Sequence, residues 1–345
     1  MSYISARSPY IVEINESGQE ASKVELRLWN GAGSAPASPT YTLQKNIPSA
    51  TNLQTTYNIS PFIKEFISHT TPVDATSQGL NLSSSWCNVQ IKRYKIISGT
   101  ATLLNTVTLK AFDGYNIYTE GYNYNQGIIR MAEGTYYYPL GQNSIGSFLV
   151  FGSATIYAVY TNLKTGATHT ASNLTSAMYN IPCLYPSYYT GGNKLEIMDE
   201  GGALKTFYFR PIEECRYTPV MCDFINKYGS WQKTWFFKAS NDTLTIENDT
   251  YNLLQTNLVN YSIYEGQKKG FNTRAKRSIK VNTGYVSDSY NQVLEELMLS
   301  EKILIDDKPV VLNTKNTELF KNINTKLINY SLDFEYAYDY NTTVV

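Results

Sequence analysis

The sequence is short of charge and of histidine. Charged residues make up 17% of its 345 positions, Lys+Arg and Asp+Glu both number 29, and there are 2 His. A formal net charge of zero removes the cationic surplus that a non-specific nucleic-acid binder uses to displace counterions. Low, balanced charge also weakens self-repulsion, which suits a subunit whose surfaces meet other subunits better than a soluble monomer. With His69 and His169 as the only imidazoles, and no Gly-X-Ser-X-Gly, a nucleophilic triad has little to be built from.

Cysteine is also scarce, at 4. Cys215 and Cys222 lie an odd number of positions apart, so on one straight strand they face opposite ways. Structural zinc pairs sit closer and need two further ligands, so no metal or cofactor is assigned. A Cys215–Cys222 disulfide would need a hairpin between them and an oxidising compartment. Gly127 and Gly134 form no phosphate loop. The acids Glu213-Glu214, Glu295-Glu296 and Asp306-Asp307 are sequence neighbours, whereas glycosidase carboxylates face each other across a cleft from separate parts of a chain. They read as solvated positions, and the expectation is a protein that is not an enzyme.

No apolar run reaches the ~18 residues of a membrane helix, so membrane insertion is not expected. The opening MSYISARSPYIVEI has neither the apolar core nor the cleavage site of a secretory leader. The expectation is a chain kept in a cytoplasm until assembly, with its thiols reduced.

What is abundant is tyrosine, at 30 residues, a side chain that favours half-buried pleated surface and interfaces. Alternation marks strands at Tyr10–Ile14, Val24–Trp29, Val89–Ile96 and Thr106–Phe112, with a tight-turn signal at Asp113-Gly114. Ser60 reads as the N-cap of a short helix with Pro61 at its first position. Residues 1–119 therefore read as a β-sandwich domain. Residues 120–205, rich in Tyr, Gly, Asn and Thr, read as an irregular β insertion or linker. Residues 206–345 read as a β-rich domain with one amphipathic helix at about 289–299, opened by Ser289 and Gln292 at capping-box spacing. From Leu327 to about Tyr340 one face is apolar and the other polar. The fold class is mainly β.

The stretch 217–237 reads as a hairpin turning at 226–230, with aromatics on both faces and hence covered on both. Trp231 and Trp235 could stack on sugars, but a two-sided apolar strand favours core packing. Tyr136, Tyr137, Tyr138, Tyr185, Tyr188 and Tyr189 are candidates for a subunit interface or a glycan-contact surface, with core packing the other reading of the same residues. Lys268, Lys269, Arg274, Lys276 and Arg277 form a candidate basic contact loop, with the carboxylate-bearing C-terminal strand as a possible acidic partner.

Ser5–Tyr10, Phe224–Trp231, Val281–Val286, Leu297–Glu301 and Leu327–Tyr338 together resemble virion structural proteins of tailed bacteriophages that infect Bacteroidetes, including crAss-like and marine flavobacterial phages. The resemblance covers both ends and the hairpin. It implies a tail, baseplate or portal-adjacent ring protein, assembled in the bacterial cytoplasm and carried in the virion. Its partners would be copies of itself and other virion proteins. No active-site residues carry over. The alternative is a receptor-binding module whose middle region contacts host glycans.

Overall fold

The computed structural model describes residues 3–31, 33–69, 72, 79–80, 85–121, 123, 132–142, 146–151, 156–171, 178–184, 191–254, 259–260, 262–264, 266–287, 290–317 and 328–341. The protein is mainly β. Its first half contains β1 (Tyr3–Ser5), β2 (Ile11–Ile14), β3 (Ala21–Trp29), β4 (Tyr41–Asn46), β5 (Thr55–Asn58), α1 (Ser60–Phe66), β6 (Gly79–Leu80), β7 (Trp86–Ile97) and β8 (Thr100–Phe112). A five-stranded sheet runs β1-β8-β7-β3-β4, and β2 pairs with β5 alone. The period-2 pattern of β3 turns Val24, Leu26 and Leu28 inward, where they share a core with Val12, Ile14, Tyr57, Ile59 and Ile63. The five-stranded sheet is thus roofed by the β2–β5 pair and α1, a sandwich-like arrangement.

The start of α1 departs from the sequence expectation. Its N-cap is Ile59, so Ser60 and Pro61 are the first and second helical residues. The Ser60 hydroxyl donates to the Ser8 carbonyl (2.6 Å) and accepts from the Tyr10 N–H (2.9 Å). It ties the helix to the chain start rather than capping it.

The middle region is more regular than expected. It contains β9 (Gly134–Pro139), β10 (Ser147–Phe151), β11 (Tyr157–Asn162), β12 (Thr168–Thr170), β13 (Met178–Pro182), β14 (Asn193–Asp199) and β15 (Gly202–Ile212). Five of these form a sheet in the order β12-β11-β14-β15-β9, and β10-β13-β6 form a smaller one. The division anticipated at 205/206 falls inside β15. One core joins Tyr138, Tyr160, Phe207 and Phe209 to Phe224, Phe236 and Phe334, so the middle and C-terminal regions bury their apolar surface together.

The rest of the chain forms β16 (Val220–Ile225), β17 (Trp231–Phe236), β18 (Asn241–Asn252), β19 (Lys268–Val286), α2 (Asn291–Met298), β20 (Ile303–Ile305), β21 (Lys308–Leu312) and β22 (Ile328–Tyr336). They make a seven-stranded sheet, β17-β16-β20-β21-β22-β19-β18. The alternation of β22 buries Tyr330, Leu332, Phe334 and Tyr336. The N-cap of α2 is Tyr290, with no side-chain cap bond; Ser289, expected to open it, lies outside the described residues. The apolar stripe does dock the helix, through Val293, Leu294 and Leu297.

Candidate functional site

The 217–237 stretch is the expected hairpin: β16 and β17 pair antiparallel from Val220↔Phe236 to Ile225↔Trp231. Cys222, Phe224, Trp235, Phe236 and Phe237 are all buried, as two-sided apolar strands are. The tyrosine candidates divide. Tyr136 and Tyr138 lie in this chain's own core, and Tyr137 packs half-buried against it. Tyr136 stacks on Phe209 at 5.5 Å and donates to the Ala132 carbonyl. Burial raises its phenol well above the ordinary value. Neither Tyr136 nor Tyr138 offers a face to a glycan or a neighbouring subunit. Tyr185, Tyr188 and Tyr189 lie outside the described residues.

The basic stretch is a strand rather than a loop. Lys268, Lys269, Arg274, Lys276 and Arg277 all belong to β19, which pairs with β18 from Lys280↔Asn241 to Lys268↔Asn252. The acidic C-terminal strand is its neighbour within the same chain: β22 pairs with β19 from Ser278↔Glu335 to Val286↔Ile328. Lys276 stands 3.7 Å from Glu335 and Arg277 2.5 Å from Asp242. Beyond β22 the tail follows the ribbon, with the Tyr340 N–H on the Ala275 carbonyl and Asn341 bridging Ala275 and Thr273. A groove of about 440 Å³ opens beside it, lined by Lys276, Val311, Asn313, Glu335, Tyr336 and Tyr338.

The β18–β19 ribbon therefore leaves the body of the sheet. Every residue of β18 is exposed, as are Lys268–Arg274. Yet the ribbon displays Leu244, Ile246, Tyr251 and Phe271, and its end displays Leu254, Ile263 and Tyr264 at 80–93% exposure. A two-stranded hairpin with no core of its own is marginal in water. Apolar side chains concentrated on such an arm form an exposed hydrophobic patch.

A second polar cluster sits where the two halves of the chain meet. Arg7 donates to the backbone carbonyls of Asp113 (3.1 Å), Asn226 (3.0 Å) and Leu299 (3.3 Å), and its guanidinium lies 4.6 Å from the Tyr115 ring centre. Asp113 Oδ2 is 2.8 Å from His69 Nε2. Lys227 pairs with Glu120 at 2.6 Å and accepts the Tyr115 N–H on its carbonyl. Asp113 and His69 have the geometry of an acid–base pair. However, the imidazole is 1% exposed, and its Nδ1 meets no hydrogen-bond partner among the described residues. This cluster fastens one half to the other. Its sequence signal was Asp113-Gly114, read as a turn. In the fold these residues receive the β16–β17 turn: a Cβ on Gly114 would come within 2.8 Å of the Lys227 carbonyl oxygen.

Among the described residues, no group of three or more His, Cys, Asp or Glu is placed to hold a metal ion, and no helix is long and apolar enough to cross a membrane. Cys215 is exposed, whereas Cys87, Cys183 and Cys222 are buried thiols. Burial pushes Cys87 up to about 12 and Cys222 well above its ordinary value. Only thiolate reacts, so native protein is expected to take one maleimide per chain, at Cys215, and four after denaturation. Intact mass before and after unfolding checks this.

Comparison with known proteins finds no matching family model, no matching curated protein and no matching solved structure.

Proposed function

We propose that this chain is a structural component of a bacteriophage virion, a tail, baseplate or portal-adjacent ring protein that acts by protein–protein assembly. The observation that carries the assembly part is the exposed β18–β19 ribbon, which leaves Leu244, Ile246, Tyr251 and Phe271 exposed to solvent. An uncovered arm of this kind is a liability for a free monomer and an asset for a subunit that meets partners. The low, balanced charge supports the same reading. The virion part rests on the resemblance of the chain ends and the hairpin to phage structural proteins.

The test is location. Antibody raised against the purified chain and labelled with gold should decorate one place on intact particles of a phage that encodes it, in a fixed copy number. Decoration of infected-cell lysate fractions that contain no particles, with bare virions, would reject the reading.

A further inference from the structure

The two halves of this protein have separate interiors. Ile14, Val24, Leu26, Tyr57, Ile63 and Val89 belong to one apolar cluster, which has no member beyond Ala111. A second begins at Tyr136 and runs to Tyr336. A third and smaller one, Tyr3, Trp86 and Phe112, lies wholly in the first half. Among the described residues no apolar cluster spans both halves. The stretch after β8 goes with the first half: the Asn116 N–H donates to the Ser8 hydroxyl (2.7 Å), and Asn123 Nδ2 donates to the Pro9 carbonyl (2.6 Å). The chain therefore makes two bodies, each with a core of its own, which meet near Asp113 and the β16–β17 turn.

What joins the bodies is mainly polar. Arg7 holds the Asp113 carbonyl of its own body and reaches the Asn226 and Leu299 carbonyls of the other. Lys227 pairs with Glu120, and Lys64 with Glu301 at 2.7 Å. Gly114 and Gly229 bring backbone against backbone. His69 and Trp231 add an edge-on ring contact at 6.1 Å. The chain also passes from α1 into the second body, where β6 pairs with β13 at Gly79↔Asn180 and Leu80↔Tyr179, and returns to β7. Shared apolar burial is the term that welds domains together, and domain contacts without a large apolar area behave as transient ones. Lys64 and Glu301 are 41% and 54% exposed, and exposed pairs contribute little. Arg7 differs: its side chain is 7% exposed, and hydrogen bonds from a charged donor are the strong kind. A few polar bonds, led by one guanidinium, thus set the balance between joined and parted. Parting replaces those bonds with water and opens neither core.

We propose that this joint is a latch: the two bodies part and rejoin at it while each stays folded, and Arg7 is the positioning residue that holds it shut. The β6–β13 pairing and the chain running on from Asn123 keep the bodies tethered, so the movement is a hinge rather than a separation. In an assembly, such a hinge lets neighbouring molecules set the angle between the two bodies. The inference goes beyond the assembly reading and does not depend on it.

Distances between paired nitroxide labels on the full chain test it. One label sits on the exposed Cys215 of the second body, the other on Glu13→Cys, an exposed position of β2 in the first. A control pair, Glu13→Cys with the exposed Thr106→Cys in a Cys215→Ser background, lies wholly within the first body. With Arg7 in place, the pair across the joint should give one main distance. Arg7→Ala removes the bonds to both carbonyls of the second body. It should raise a second, displaced population about tenfold, to roughly 10% of molecules or more, and leave the control pair unchanged. A single unshifted distance in Arg7→Ala would show a rigid joint and overturn the latch. Broadening of both pairs together would show that the bodies loosen as one unit, and would overturn it equally. Should Arg7→Ala fail to accumulate, Lys64→Met with Lys227→Met removes both ion pairs, spares Arg7, and is read by the same outcomes.

Discussion

Gly229→Ala is expected to cost the native protein about 2–4 kcal/mol, and most of that loss should fall on the contact between its two halves. Two terms combine. Gly229 sits at φ +76°, a region that charges an L side chain roughly 1–2 kcal/mol. An added Cβ would also lie 2.7 Å from both the backbone N and C of Asp113. Backbone atoms cannot swing aside as a lysine tip can, so the β16–β17 turn must retreat from Asp113. That retreat loosens the Arg7 bond to the Asn226 carbonyl and the Tyr115 bond to the Lys227 carbonyl. Gly99→Ala is the control: its φ is +76° as well, but nothing lies within 4 Å of the added carbon. Urea unfolding of both variants separates strain from contact. Gly229→Ala should lose at least about 1 kcal/mol more than Gly99→Ala and show an earlier, broader transition as the halves decouple. Equal losses would mean that the joint yields freely.

That joint was the part of the fold least visible in the sequence. Asp113-Gly114 and Gly229 both read as turn residues, and each is one locally. Their second role, letting two backbones touch, depends on residues more than a hundred positions apart, and no periodicity encodes it. The basic stretch shows a related limit. In its C-terminal half, β19 buries Ala275, Ile279 and Val281 on one face, and alternation is legible there. Over Lys268–Arg274 both faces meet solvent, so nothing selects apolar residues at every second position, and the strand reads as a charged loop. Where one face was buried the reading held: β2, β3, β7 and β22 all fall within or close to the alternating runs that announce them.

The tyrosines show a complementary limit. Tyr fits both a wet interface and a half-buried sheet, and composition cannot separate the two. Tyr138 is fully buried, and Tyr160 uses its hydroxyl on the Pro182 carbonyl at 2.8 Å, so these phenols serve the interior. The exposed apolar residues of β18, Leu244, Ile246 and Tyr251, are ordinary strand residues and give no compositional alarm. Only the sheet order reveals that β18 is an edge strand.

Glu296 leads to the second large effect, a loss of stability as pH rises from about 5 to 7. It lies on α2 beneath the joint, 2% exposed, and burial pushes its carboxyl up to about 7 from an ordinary 4.5. Hydrogen bonds from the Gln292 side chain and the Lys227 N–H, together with the Lys227 charge, hold it back from going higher, while Glu295 adds to the rise. Tyr115 and Tyr136 feel the same carboxylate. Because the folded value lies above the unfolded one, the native protein keeps a proton between roughly pH 4.5 and 7 that the unfolded chain has released. Stability therefore falls with rising pH through that window and levels off above it. At up to about 1.4 kcal/mol per pH unit the full effect approaches about 3 kcal/mol. Glu296→Gln cannot ionise, so its unfolding free energy should lack this slope. The quantity to measure is the wild-type-minus-variant difference in unfolding free energy at pH 5 and pH 8, which cancels the other titrating groups. A difference that moves against wild type by about 2–3 kcal/mol fits a neutral buried acid. An unchanged difference would mean that Glu296 is solvated, and hence that α2 does not seal the underside of the joint. Since Glu296 also receives the backbone N–H of Lys227, its ionisation would strengthen one hydrogen bond to the turn while burying a charge beside Tyr136. The desolvation cost is the larger of the two, because the carboxyl is almost wholly withdrawn from water.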